Sequence, residues 1–170
     1  PEWQLNKFKA FLVKSVIKRS IKYCDHLIAD SEYTAHEILR HLPVGNKEIT
    51  VVPQGIASDW LISRSLGEKE SVKTKYSIDG EYVLNVGTIQ PRKNIDRIID
   101  AFTSLPLMRR KNLCLVIVGK YGWNSEETVK KIQRYVASGE VVWLQNVDSN
   151  EDLKVLYQAA KLVLFPSLSE

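Results

Sequence analysis

The residues best suited to chemistry lie in residues 85–94 (N-V-G-T-I-Q-P-R-K-N), which lead from an apolar strand into the start of a helix. Gly87 permits a tight turn after the strand. Arg92 and Lys93 place two cations beside the free N–H groups of the first helical turn. This combination predicts an anion site suited to a diphosphate. The alternative is that Arg92 and Lys93 are two solvated cations on the surface.

Three further segments follow predicted strands, where ligands bind in open parallel sheets. Residues 119–125 (G-K-Y-G-W-N-S) hold two glycines and two aromatic residues, so this loop either covers a sugar or base or packs on itself as a cap. Residues 145–148 (Q-N-V-D) follow a predicted strand at the position where a nucleobase would lie, and their backbone amides could form hydrogen bonds with the edge of that base. Residues 166–170 end in Glu170, a carboxylate that either accepts hydrogen bonds from sugar hydroxyls or faces solvent.

Several other chemistries lack their motifs. The dinucleotide motif G-x-G-x-x-G and the phosphate-loop motif G-x-x-x-x-G-K-S/T are both absent from the sequence, which argues against a nicotinamide dehydrogenase and a phosphate-loop ATPase. His26, His36 and His41 lack metal-ligand spacing with either cysteine, and no carboxylate pair suggests a glycosidase. We therefore predict no metal site. We predict that Cys24 and Cys114 are buried free thiols in a reducing compartment.

The elements that position these loops alternate between apolar strands and amphipathic helices after residue 80. Strands are predicted at 82–86, 113–118, 141–144 and 162–165, and helices at 95–102, 126–136 and 153–160. Asn94, Ser125 and either Ser149 or Asn150 are the predicted N-caps. Nearly continuous apolar strands are typical of a sheet covered on both faces. The fold predicted is therefore α/β, with an open, parallel, doubly wound, Rossmann-like sheet.

The first part of the chain is organised differently. It holds a predicted strand at 26–29, a helix capped by Ser31, and a β-branched run at 49–52. Residues 43–58 are interpreted as a connection between two units. Residues 63–71 are polar enough to predict a surface loop.

Positive charge is concentrated at the N-terminus. The whole chain is 44% apolar and 26% charged, as in an ordinary soluble protein, with a net charge of +4. Residues 1–22 hold six Lys or Arg and one Glu, a charge of +5, so the other 148 residues sum to −1. The bulk of the chain therefore presents no excess positive field for nucleic acid.

The same N-terminal segment predicts a basic amphipathic helix. Leu5, Phe8, Leu12 and Val16 recur at helical spacing. This helix either packs on its own domain or lies on an anionic membrane surface. No apolar run approaches the roughly 20 residues needed to span a bilayer.

Taken together, four segments resemble the retaining glycosyltransferases of family 4, also called glycosyltransferase group 1. Their order and spacing match those of the family: 86–94 (V-G-T-I-Q-P-R-K-N), 115–120 (L-V-I-V-G-K), 152–160 (D-L-K-V-L-Y-Q-A-A) and 165–170 (F-P-S-L-S-E). Upstream, residues 29–34 and 51–56 resemble the close of that family's N-terminal domain and its linker.

The resemblance implies an enzyme of the GT-B type, in which two Rossmann-like domains face each other across a cleft. The acceptor binds the N-terminal domain and the nucleotide-sugar donor binds the C-terminal one. Residues 1–45 then close the acceptor-side domain, and residues 46–170 form the linker and the donor-binding domain. The resemblance thus implies a chain truncated at both ends and inactive by itself.

Carried over by position, Arg92 and Lys93 neutralise the donor diphosphate and stabilise the leaving nucleoside diphosphate, so that no metal ion or cofactor is required. Glu170 corresponds to the first glutamate of the family's E-x7-E motif, which holds hydroxyls of the donor sugar. We expect these three residues to be the catalytic ones.

Four more residues are carried over as contacts of the donor. Gly87 and Thr88 are expected against its phosphates, and the backbone of Asn146 and Val147 against its base. Many members of the family have Arg where this sequence has Thr88, which leaves the phosphate charge to Arg92 and Lys93.

The implied activity is transfer of mannose or glucose to a lipid-linked or saccharide acceptor during synthesis of a surface polysaccharide. The P-R-K-N loop is similar to that of members that use GDP-mannose, and UDP-glucose is the other donor type considered. The expected location is the cytoplasm or the inner face of its membrane. The alternative is a non-catalytic module that binds nucleotides or partners without turnover.

Overall fold

The computed structural model describes residues 7–168, and the chain divides into two compact units between Trp60 and Leu61. The first unit contains two helices and two short strands: α1 (Lys7–Tyr23), β1 (Leu27–Ala29), α2 (Glu32–His41) and β2 (Ile49–Val51). β1 and β2 pair in parallel, with Leu27 opposite Ile49. The run after residue 45 thus contributes a strand to the first unit. The assignment of residues 1–45 to an acceptor-side domain stays a prediction.

Helix α1 confirms the predicted N-terminal helix from Lys7 onward, and Leu5 lies outside the described residues. Residues 11–20 are all exposed, and Phe11 and Val16 are about two-thirds exposed, at 67% and 64%. Ile21, near the end of the helix, is buried. Over residues 11–20 the apolar stripe is therefore not packed on the first unit, and a membrane surface as its partner stays a prediction. None of the described helices is both long and apolar enough to cross a membrane.

The second unit is the predicted doubly wound sheet. A 3-10 turn (Ser58–Leu61) precedes it and another (Pro91–Lys93) lies within it; its helices and strands are α3 (Leu66–Lys75), β3 (Glu81–Val86), α4 (Ile95–Thr103), α5 (Leu107–Arg110), β4 (Leu113–Val118), α6 (Glu126–Ala137), β5 (Val141–Leu144), α7 (Asn150–Ala159) and β6 (Leu162–Val163). Four strands form one sheet in the order β5-β4-β3-β6, and every pair is parallel. The predicted fold class is confirmed, although the last strand is shorter than predicted.

The core lies on both faces of this sheet, because successive residues of β4 point to opposite sides. On one face Leu115 and Ile117 pack with Ile99 of α4 and Ile132 of α6. On the other face Val116 belongs to a second cluster, whose other members include Val72 of α3, Tyr82 and Leu84 of β3, and Leu156 of α7. Since β4 is covered on both sides, it reads as an unbroken apolar run.

The prediction of a surface loop at residues 63–71 is wrong, because α3 begins at Leu66. Ser65 and Glu68 form a capping box: the Ser65 hydroxyl accepts from the Glu68 N–H at 3.3 Å, and the Glu68 carboxylate accepts from the Ser65 N–H at 2.8 Å. Val72 is the buried residue of this helix. The helix therefore lacks the apolar stripe by which amphipathic helices are recognised in a sequence. The capping box at its first turn is the feature that indicates a helix here.

Two of the predicted N-caps also differ. Asn94 has a positive φ of 55°, and its amide donates to the Pro166 carbonyl at 3.2 Å instead of capping α4. The Ser125 hydroxyl donates to the Gly122 carbonyl at 2.8 Å. Ser149 does cap α7, accepting from the Asp152 N–H at 3.0 Å.

The cysteines are free thiols, as predicted, but only partly buried. Burial raises the pKa of the Cys114 thiol to about 11. Cys114 is therefore protonated at neutral pH.

The capping box of α3 gives a first prediction. Ser65→Ala removes the hydroxyl that satisfies the Glu68 N–H, so it should lower the free energy of unfolding by about 1 kcal/mol. Urea unfolding followed by circular dichroism measures this. The matched control is Ser71→Ala, at an exposed position within the same helix, where the better helix propensity of Ala should give a small gain. Equal effects of the two substitutions would contradict the capping role.

Candidate functional site

The carboxyl ends of three neighbouring strands are held in line by backbone contacts. The Gly87 N–H donates to the Val118 carbonyl at 2.8 Å, and the Gly119 N–H donates to the Leu144 carbonyl at 2.9 Å. A Cβ added to Gly119 would stand 2.0 Å from the Gly87 carbonyl oxygen. Only glycine fits where the loops after β3 and β4 cross, and the sheet edge at Gly87 is therefore built from backbone alone.

The second loop then runs along the first. The Ile89 N–H donates to the Lys120 carbonyl at 2.9 Å, and Ile89 forms a parallel bridge with Tyr121. A Cβ on Gly122 would lie 2.5 Å from the Ile89 carbonyl oxygen and 2.7 Å from Cγ2 of Thr88. Ile89 is fully buried beneath this crossing, whereas Thr88 is exposed.

The two aromatic residues of the second loop remain accessible. Tyr121 and Trp123 are each 51% exposed, and the Tyr121 hydroxyl donates to the Glu126 carboxylate at 2.8 Å. The backbone of residues 119–122 thus packs on the first loop, while the rings are partly exposed. Both interpretations of this loop stay open.

The two predicted cations lie just before helix α4. Arg92 and Lys93 belong to the 3-10 turn, and both are partly buried. The Lys93 stem passes over Gly87, since a Cβ built there would lie 3.6 Å from Cε of the lysine. Lys93 Nζ stands 4.7 Å from the centroid of the Phe165 ring.

The segment after β6 holds this cationic turn from the other side. The Leu168 N–H donates to the Arg92 carbonyl at 2.9 Å, and the Asn94 amide donates to the Pro166 carbonyl. The first and fourth predicted loops are therefore in contact. Both cations directly precede the N-terminus of α4, where unpaired N–H groups and the helix dipole favour an anion.

Asn85 is a residue that the sequence reasoning did not single out. It is 3% exposed within β3, and its amide donates to the Leu164 carbonyl at 2.9 Å. Its Oδ1 atom is buried without a hydrogen-bond partner among the described residues. The available signal was a polar residue inside an apolar strand, two positions before Gly87.

The third predicted loop follows β5, two strands away from β3. Asn146 is exposed, and Val147 is partly buried against the core cluster that contains Tyr82. The loop is tied to helix α3 by the Tyr76 hydroxyl, which accepts from the Asp148 N–H at 2.9 Å. Sequence reasoning missed this contact, because residues 76 and 148 are far apart along the chain.

The structure thus brings four predicted residues together: Gly87, Thr88, Arg92 and Lys93. Asn146 and Val147 lie at the same edge of the sheet, after β5. Glu170 lies outside the described residues. Across residues 7–168, no group of three or more His, Cys, Asp or Glu side chains is placed to hold a metal ion.

Comparison with known proteins agrees with this architecture. The family described as "Glycosyl transferases group 1" matches residues 68–170. O-antigen chain mannosyltransferase B of Escherichia coli is 29% identical over 171 residues, which is all of this chain and 44% of the relative. The serotype-specific mannosyltransferase WbdA of Escherichia coli is 26% identical over 148 residues, covering 86% of this chain and 18% of the relative. The chain therefore spans less than half the length of these relatives.

Solved structures share the fold. Anabaena Alr3699/HepE, in complex with UDP and glucose, superposes with a TM-score of 0.73 at 16% identity, covering 96% of this chain and 42% of that one. WaaG, a glycosyltransferase involved in lipopolysaccharide biosynthesis, gives a TM-score of 0.68 at 24% identity, covering 85% and 38%. The fold is that of the GT-B glycosyltransferases. The chain belongs to the group 1 glycosyltransferase family.

The backbone crossing at Gly119 gives a second prediction. Gly119→Ala should lower the free energy of unfolding by about 3 kcal/mol or more, because the new methyl group collides with the Gly87 carbonyl in addition to adopting an unfavourable φ. Gly139→Ala is the control, since Gly139 also has a positive φ, of 75°, but open space around it. We expect about 1 kcal/mol there. Equal losses in urea unfolding would show that the loops separate easily.

Proposed function

We propose that this chain is the donor-binding part of a retaining hexosyltransferase. The enzyme takes mannose or glucose from a nucleoside-diphosphate sugar of the GDP-mannose or UDP-glucose type. It passes the sugar to a lipid-linked or saccharide acceptor in the synthesis of a surface polysaccharide. The mannosyltransferase relatives support the transfer of mannose, and the neighbour solved with UDP and glucose supports a nucleotide-sugar donor.

One observation carries the proposal: a pair of cations at the carboxyl edge of the sheet, next to a glycine turn. Lys93 lies over Gly87, and both Arg92 and Lys93 precede the first free N–H groups of α4. Positive side chains, a helix N-terminus and an exposed stretch of backbone are together suited to a diphosphate. A fully solvated lysine would not lie against a glycine and an aromatic ring as Lys93 does.

The chemistry follows from where charge develops. Breaking the bond between the anomeric carbon and the diphosphate oxygen leaves additional negative charge on the nucleoside diphosphate. Arg92 and Lys93 are fixed beside the expected position of that charge, so they stabilise the transition state more than the bound donor. We propose that these cations provide the stabilisation that a metal ion would otherwise supply.

The remaining contacts of the donor are assigned by position. Gly87 and Thr88 meet the phosphates, and the backbone at Asn146 and Val147 meets the base. Glu170 holds hydroxyls of the transferred sugar. A nucleotide-binding module without turnover has the same contacts to phosphate and base, so only transfer to an acceptor distinguishes the two functions.

The first unit supports a membrane location for the acceptor. Helix α1 presents exposed apolar side chains such as Phe11 and Val16, together with exposed basic ones such as Lys14 and Lys18. This composition suits the surface of an anionic membrane. We propose that the enzyme works on the inner face of the cytoplasmic membrane, where a lipid-linked acceptor is reached.

Binding measurements test the diphosphate site. Lys93→Ala should weaken binding of GDP or UDP by roughly 10- to 100-fold, the usual effect of losing a charge-assisted contact. Isothermal titration calorimetry with both nucleotides measures this on the 170-residue chain. Lys130→Ala is the matched control, because Lys130 is an exposed lysine on α6 paired with Glu127 at 2.8 Å. Unchanged affinity in Lys93→Ala would remove Lys93 from the site.

A second measurement concerns turnover. We expect the 170-residue chain to bind a nucleotide sugar without transferring its hexose, since catalysis needs both reactants held together and the chain spans 44% of a mannosyltransferase relative. Radiolabelled GDP-mannose and UDP-glucose, each with saccharide and lipid-linked acceptors, provide the assay. Transfer by this chain alone would show that it contains a complete active site.

A further inference from the structure

The loop assigned to the nucleobase, residues 145–148, is hydrogen-bonded to the end of helix α3. Tyr76 is the residue that closes α3, and its hydroxyl uses both of its hydrogen-bonding functions. It accepts from the Asp148 N–H at 2.9 Å and donates to the Asp152 carboxylate at 2.7 Å. One hydroxyl therefore joins α3, the loop after β5 and the first turn of α7.

A cation reinforces the same junction. Lys75 Nζ lies 2.8 Å from the Asp148 carboxylate and 2.7 Å from that of Asp152. The hydrogen bond from Lys75 holds the pKa of Asp152 below its usual value, and the two carboxylates raise the pKa of Lys75. Lys75 and Asp152 are therefore both charged at neutral pH. Lys75 is 44% exposed at its side chain, so salt screens its contribution more than that of the partly buried Tyr76.

The consequence for the loop is geometric. Residues 145–148 are a short link between the end of β5 and the Ser149 cap of α7. Fixing the Asp148 N–H at one end, and the strand at the other, limits the directions in which the backbone amides of Asn146 and Val147 can point. Amides that read a base edge must be held in place before the ligand arrives, because ordering them on binding lowers the affinity.

We propose that Tyr76, assisted by Lys75, is a positioning residue for the nucleobase of the donor. This inference rests on the proposed function, and it assigns to α3 a part in base selection. Tyr76 itself does not touch the nucleotide; it acts through the backbone of the loop that does.

The test separates binding of the base from binding of the diphosphate. The probes are GDP, UDP and inorganic pyrophosphate, titrated into the 170-residue chain by calorimetry. Tyr76→Phe should weaken the preferred nucleoside diphosphate roughly three- to tenfold, the range expected for lost hydrogen bonds. Pyrophosphate affinity should stay unchanged, so the ratio between GDP and UDP should move towards one.

The matched control is Tyr82→Phe. The Tyr82 hydroxyl donates to the Leu156 carbonyl of α7 at 2.7 Å in the core. This variant loses a tyrosine hydrogen bond to the same helix, and the hydroxyl that it removes is bonded to Leu156 and not to residues 145–148. We expect Tyr82→Phe to lower the free energy of unfolding and to leave the GDP to UDP affinity ratio unchanged. If loosening of α7 were enough to change the ratio, Tyr82→Phe would change it as well.

Each outcome decides a different point. A wild-type chain that binds none of the three probes overturns the proposed function, and this inference with it. Nucleotide binding that Tyr76→Phe leaves unchanged, or weakens equally with pyrophosphate, overturns only the role of Tyr76. If Tyr76→Phe does not fold, Lys75→Gln takes its place at an exposed position. The GDP to UDP ratio should again move towards one, by a smaller factor, and an unchanged ratio overturns the inference.

Discussion

The second unit depends on a steric constraint at the point where the backbones of Gly87 and Gly119 cross. No side chain fits between these two residues, so the loops after β3 and β4 leave the sheet in direct contact. Several of the described groups assigned to the donor site are positioned relative to that crossing. Lys93 packs on Gly87, Thr88 packs on Gly122, and the next strand is joined to Gly119 through the Leu144 carbonyl. The backbone crossing thus provides a fixed support for side chains whose positions must be well defined.

The polar groups at this edge fall into two sets that do different physical work. Arg92 and Lys93 bring charge to the start of α4, where an anion is already favoured. Tyr76 and Lys75 bring hydrogen bonds to the underside of the loop after β5, where they restrict motion. In the function that we propose, charge governs how strongly a diphosphate is held, whereas restriction of the loop governs which base fits. Because different residues provide the two effects, the affinity for a diphosphate and the selection of the base can be measured independently.

Sequence reasoning succeeded where a pattern is local. The run at 113–118 has the same bounds in the structure, because a strand covered on both faces must be apolar throughout. The loops were located for the same reason. It failed at α3, whose polar surface hides a capping box, and at Asn94, whose amide is used by Pro166 in another loop. Asn85 and Tyr76 were missed because their partners lie more than 70 residues away.

The partly buried thiol of Cys114 has a consequence for its reactivity. Because burial raises its pKa to about 11, the reactive thiolate is a minor species at pH 7. Oxidants and alkylating reagents attack the thiolate, so they react slowly with the sheet at this position of β4.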